Sequence, residues 1–205
     1  MSPRVTSRAL RYPPHGLRFV VMDAILTSLA LPFVLTIRLY ATSEIGLPSP
    51  AARTETALVL AEAGISSRWT FCGQRHPERA CTLPLAPSEL AVRLVRERST
   101  RAGDAPMTMG TSLVDTTRRT GVLATVYLDR IEALAASAGQ QADIVLARAL
   151  AHEIAHLVLG TTEHGASGLM RPLWSRAMLR DEPSSSWVFT PGEAASLRAA
   201  LAARR

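Results

Sequence analysis

Four short apolar-rich runs, "SRWTFC", "ELAVRLVRE", "TSLVDT" and "VLATVYLDRI", stand between clusters of Gly, Pro, Ser and Asp, the pattern of strands separated by turns. The second alternates imperfectly through Val92, Arg93, Leu94, Val95 and Arg96, and its arginines read as a solvated strand face. Ahead of them, "ETALVLAEA", from about Glu55 to Ala63, has helical composition and stops at Gly64. "STRAGDAPMTMG", Ser99 to Gly110, and "TRRTG", Thr117 to Gly121, are loops between the later strands. After Arg130 the chain turns Ala- and Leu-rich. One helix runs to about Ser137, Gly139 interrupts, and a second runs from about Ala142 to Leu159, apolar almost all round and therefore buried. In "TPGE" Thr190 caps a last helix, Pro191 sits at its first position and Glu193 completes a capping box. The pattern predicts one small α/β or α+β domain with a mixed, twisted sheet and a long buried helix.

The formal charge of +6 over 205 residues suggests an acidic partner until the charges are located. Arg4, Arg8, Arg11 and Arg18 precede "AILTSLALPFVLTI", Ala24 to Ile37, an uncharged run with the length of a secretory hydrophobic region. "ATS", Ala41 to Ser43, then offers small residues where a signal peptidase reads them, so residues 1–43 are expected to form a signal peptide cleaved after Ser43. Asp23 and Arg38 flank the run, and an uncleaved membrane anchor through residues 19–37 is the alternative. Five of the 23 arginines and one of the 17 acidic residues precede Glu44, leaving 18 and 16, a net of +2. No basic stripe for nucleic acid remains. Residues 44–205 are the expected domain, with "GLPSPAART" as the linker leading into it.

Cys72 and Cys81 are the only cysteines and bracket "GQRHPERA". In an exported chain they are expected to form a disulfide. A metal site built on Cys72, His76 and Cys81 has three ligands and no Cys-x-x-Cys knuckle. Two buried free thiols are the third reading.

Three of the five histidines fall within "HEIAHLVLGTTEH". His152 and His156 stand four apart on the buried helix, so both imidazoles leave one face a turn apart, the spacing that chelates one metal ion. Glu153, next to the first, can reach a metal-bound water without being a ligand and take its proton as general base. Burying two histidines and a glutamate in an apolar helix costs several kcal/mol unless something pairs with them. A catalytic zinc takes three protein ligands and leaves one position open. Gly160 can turn the chain off the helix axis, and four extended residues span up to about 13 Å, enough to return His164 to the metal. Glu163, Glu182 and Glu193 are the competing third ligands, as in a gluzincin-like peptidase.

In this stretch the sequence resembles the metzincin clan of zinc metallopeptidases, whose pattern is H-E-x-x-H-x-x-G-x-x-H followed by a methionine-containing turn. His152, Glu153, His156, Gly160, His164 and Met170 fit in order, Gly160 one residue late and His164 two. The resemblance implies a small metzincin-like catalytic domain in which Met170 forms the turn beneath the metal. It also implies that "TSLVDT" is an edge strand pairing with an extended substrate.

The expected function is an exported zinc endopeptidase with Glu153 as base, His152, His156 and His164 as ligands, and a peptide or protein as partner. A non-catalytic exported protein with a structural zinc is the competing class, distinguished by a closed fourth position. Leu173 and Trp174 are candidate pocket residues, and Tyr127 is the tyrosine nearest in sequence to the motif. No nucleophilic Ser or Cys motif, phosphate-binding glycine loop or dinucleotide fingerprint competes.

Overall fold

The structure is a computed structural model that describes residues 34–42, 44–73, 78–96 and 108–204. The described part is a mixed α/β unit built on one five-stranded sheet of order β2-β1-β3-β5-β4. Its strands are β1 (Val34–Tyr40), β2 (Ser66–Cys72), β3 (Glu89–Val95), β4 (Gly110–Asp115) and β5 (Thr120–Tyr127). β1 runs parallel to β2 and β3, and β3 parallel to β5; β4 alone is antiparallel, on the edge beside β5. The helices are α1 (Pro50–Glu62), α2 (Leu128–Ala138), α3 (Ala142–Leu159), α4 (Arg176–Asp181) and α5 (Pro191–Ala203).

β1 falls across the expected domain boundary. It occupies Val34 to Tyr40, overlapping the tail of the apolar run read as a leader, and lies between β2 and β3. Leu35, Ile37 and Leu39 are fully buried, and Ala41 extends the pairing by donating its N–H to the Cys72 carbonyl at 3.3 Å. Cleavage after Ser43 would pull a strand out of the sheet, and an anchor through residue 37 would draw the same strand into a bilayer. Val34 to Tyr40, which the expected boundary assigns to the leader, thus belong to the sheet. Residues 1–33, which hold the rest of the expected leader, lie outside the described residues, as do Ser43, His76 and most of the Ser99 to Gly110 loop. Among the described residues no helix is long and apolar enough to cross a membrane.

Arg38, which interrupts the apolar run, is 3% exposed. It pairs with Glu89 on β3 and donates to the carbonyls of Leu83 (2.6 Å) and Pro84 (3.0 Å), so its buried charge is compensated.

The expected linker is also corrected. Ser49 caps α1 by accepting the Ala52 N–H at 3.0 Å and Pro50 takes the first position, so the helix begins five residues before Glu55. Likewise Leu128 to Ile131 open α2 and do not continue β5. The short α4 is capped by Ser175, whose side chain accepts the Met178 N–H at 3.2 Å. Cys72 and Cys81 are joined as a disulfide, which excludes them as thiolate ligands or free thiols.

α3 is the keel of the structure. Every residue from Val145 to Val158 is buried, because the helix packs on β3, β4 and β5 and is flanked by α1, α2 and α5. Apolar side chains on all its faces are what this position demands. Its polar residues Arg148, His152, Glu153 and His156 are buried with it.

Candidate metal centre

His152 and His156 project from the same side of α3, and their Nε2 atoms lie 3.0 Å apart. The helix ends at Gly160, whose left-handed backbone (φ 60°, ψ 42°) turns the chain back along its own last turn. A Cβ at Gly160 would stand 2.0 Å from the Arg119 carbonyl carbon in the β4–β5 turn, so the position needs glycine for space as well as conformation. The returning loop brings His164 Nε2 to 3.3 Å from His156 Nε2. The loop is then tied down: Gly165 donates to the Met170 carbonyl and Leu169 to the Val188 carbonyl, both at 2.9 Å. One ligand atom from each of the three histidines falls within 4.8 Å of the others.

Whether this donor set suits a cation is decided by the far side of the rings. His152 Nδ1 lies 2.9 Å from the Leu169 carbonyl and His156 Nδ1 2.8 Å from the Thr161 carbonyl. A carbonyl oxygen only accepts, so each Nδ1 carries the proton and each Nε2 turns a lone pair toward the other rings. Burial lowers the His152 pKa to about 4, with the neighbouring imidazoles adding to it against the Leu169 bond; His156 and His164 are lowered chiefly by burial. Neutral imidazoles with facing lone pairs cannot hydrogen-bond one another. A metal ion that accepts these lone pairs removes that conflict, and carbonyls holding the far nitrogens are the usual support of histidine ligands. These residues fit a metal.

Glu153 is 6% exposed and lines the same cleft, of about 300 Å³, as the three histidines. Ser112 on β4 donates its hydroxyl to Glu153 Oε2 at 2.6 Å, and Ser112 Oγ also lies 3.0 Å from the Glu153 backbone carbonyl oxygen. At Gly110, two residues along β4, an added Cβ would fall 2.6 Å from both Cγ and Oε1 of Glu153. Burial raises the carboxyl to a pKa of about 7, against the opposing effect of the Ser112 hydrogen bond. Gly110 and Ser112 escaped the sequence reading. The signal available was a glycine opening a strand, which marks a close backbone approach.

Two of the competing carboxylates are occupied elsewhere, and the third lies on the surface. Glu182 forms a bidentate pair with Arg171, both bonds 2.8 Å; Glu193 accepts the Thr190 N–H at 2.8 Å in its capping box; Glu163 is exposed. Among the described residues, the histidine, cysteine and carboxylate side chains grouped to hold a metal are His152, His156 and His164. Met170 is buried and follows the residue whose carbonyl orients His152. Trp174 lines the cleft with its ring edge-on to His152, centroids 5.7 Å apart, and packs against Trp187, whereas Leu173 is 57% exposed.

No family model and no curated protein matches the chain. Among solved structures, it is similar to metalloproteinase-II from Bacteroides fragilis, at 15% identity and a TM-score of 0.44. The match covers 83% of this chain and 54% of that protein, so the chain spans about half its length. What the site can do therefore follows from its own geometry.

Proposed function

We propose that the protein is a zinc-dependent endopeptidase of metzincin-like type, with His152, His156 and His164 as ligands and Glu153 as general base. The observation that carries this is the convergence in one cleft of three inward-facing imidazole nitrogens and a carboxylate that is not among them. Zinc held there supplies Lewis acidity, acidifying water and polarising a peptide carbonyl. Glu153 Oε2 is engaged by Ser112, and Oε1 sits in the space that Gly110 leaves by lacking a Cβ. Oε1 accordingly accepts the proton of the water that attacks the carbonyl carbon, and returns it to the amine nitrogen as the C–N bond breaks. The cation's field favours the ionised carboxylate that burial alone disfavours. Among the described residues β4 is the outermost strand beside the cleft, an edge suited to an extended peptide. The Cys72–Cys81 disulfide supports an exported protein, with any leader or anchor ending before Val34.

The test compares wild type, Glu153→Gln and His156→Ala for zinc content and for hydrolysis of a diverse peptide mixture. Wild type should bind close to one zinc and cleave. Glu153→Gln should keep its zinc and lose about 100-fold or more in rate, and His156→Ala should lose zinc. Zinc bound without any hydrolysis would leave the structural-zinc alternative as the better account.

A further inference from the structure

β4 has two faces with different contents. Gly110 and Ser112 point toward α3, where they meet Glu153, and Ser112 pairs across the sheet with the fully buried Ala124. By strand alternation Thr111 and Leu113 point the other way. Leu113 is 67% exposed, the highest value among the exposed large apolar residues of the described chain, and it sits on the edge strand that borders the cleft. Its partner across the ladder, Leu123 on β5, is half-buried. Beyond Leu113 the register shifts, and Val114 pairs with Gly121 and packs against the core, leaving Leu113 outside.

An exposed leucine on an edge strand is an aggregation liability, and natural edges are usually guarded by charge or proline. Here the same edge lies beside the candidate metal centre. A peptide strand laid along β4 would have its side chains alternate with those of β4, and one of them would stand next to Leu113, extending the Leu123–Leu113 strip by one more strand. We propose that Leu113 is a specificity-determining residue that selects an apolar side chain in an extended peptide substrate paired with β4. The inference rests on the peptidase reading above. A charged side chain at that position would lose the apolar contact and gain nothing, whereas leucine, valine or an aromatic residue would cover the exposed surface of Leu113.

The experiment uses the full chain loaded with zinc and quenched fluorescent decapeptides on a Gly/Ala/Ser background, with one position at a time set to Leu, Asp or Arg. Wild type should favour Leu over Asp at one position by about two- to fivefold in kcat/KM, the range set by cross-strand side-chain pairs. Leu113→Arg should invert that ratio in favour of Asp, and Leu113→Thr, a strand-compatible change, should bring it near one. Leu58→Arg, an exposed leucine on α1, which packs by β2 at the opposite sheet edge, should leave the ratio as in wild type. A wild type that cleaves peptides with no apolar preference at any position, or a preference that Leu113→Arg leaves intact, would overturn the inference and spare the peptidase reading. A wild type that cleaves none of the peptides would overturn both.

Discussion

The hydroxyl of Ser112 donates to Glu153 Oε2 across 2.6 Å, joining the edge strand of the sheet to the residue that follows the first histidine of the motif. The bond fixes which carboxylate oxygen is occupied and which is free. Ser112→Ala should lower peptide hydrolysis by about 10- to 100-fold, the equivalent of a hydrogen bond to a charged group, while zinc content stays unchanged. Gly110→Ala should act on the same residue by collision, since its Cβ would stand 2.6 Å from Glu153. Zinc stoichiometry and kcat measured together check both; a variant that loses zinc in step with activity would show that β4 supports the ligands and not the base.

The parts of this site legible in the sequence are those that are local. His152, Glu153 and His156 lie within one helical turn and a half, Gly160 ends that helix by a conformation glycine adopts readily, and the Thr190 capping box is four residues long. Ser112 and Gly110 lie about 40 residues from Glu153, and only the packing of α3 on β4 brings them to it. β1 is hard to read from the sequence for a different reason. Leu35, Ile37 and Leu39 form a fully buried face while Val34 and Thr36 lie partly open on the other, but "VLTI" is too short and too apolar to display that alternation and looks like the end of a hydrophobic leader. "LPSP" was misread because Ser-Pro serves both linkers and the first positions of helices.

A chain beginning at Glu44 should therefore fail to fold, whereas one beginning at Pro32 should retain the fold, since the compact unit runs from Pro32 to Arg205. Losing β1 removes Leu35, Ile37 and Leu39, each fully buried, at about 1.5–3 kcal/mol per side chain. It also leaves facing edges on β2 and β3. Circular dichroism and thermal melting of the two truncations decide the matter, and a cooperative melt from the shorter chain would return the domain boundary to Ser43.

Acid should weaken the fold through Glu89. Burial pushes its carboxyl up, but the hydrogen bonds from Arg38 and the Ala86 N–H, together with the Arg38 charge, outweigh burial and hold its pKa below the ordinary 4.5. A carboxyl with a depressed folded pKa contributes stability above its unfolded pKa and loses it as pH falls through the folded value. Stability should therefore be level in this respect above about pH 4.5 and decline below it. Glu89→Gln strands the buried Arg38 charge and should cost about 3–5 kcal/mol near neutrality, with a flatter acid limb. Melting temperature against pH for both proteins provides the check; parallel acid limbs would mean that another carboxyl controls the decline.

Gly160 and Gly139 both end helices in the left-handed region, at φ 60° and 66°, but they differ in surroundings. Nothing lies within 4 Å of a Cβ at Gly139, whereas at Gly160 it would meet the Arg119 carbonyl carbon at 2.0 Å and its oxygen at 2.4 Å. Gly139→Ala should thus cost only left-handed strain, about 1 kcal/mol, or roughly 2–4 °C for a chain of this size. Gly160→Ala adds a collision between backbones, which no rotamer change relieves, so either the β4–β5 turn or the loop to His164 must move. His164 is four residues further on and its Nε2 is 3.3 Å from that of His156, so movement of the loop withdraws the third nitrogen. Gly160→Ala should melt well below Gly139→Ala and bind zinc at least about tenfold more weakly, the effect of losing one ligand or its support. Zinc titration and melting of the two alanine variants side by side separate strain from collision. Equal zinc affinity in both would show that His164 reaches the site without help from the turn at Gly160.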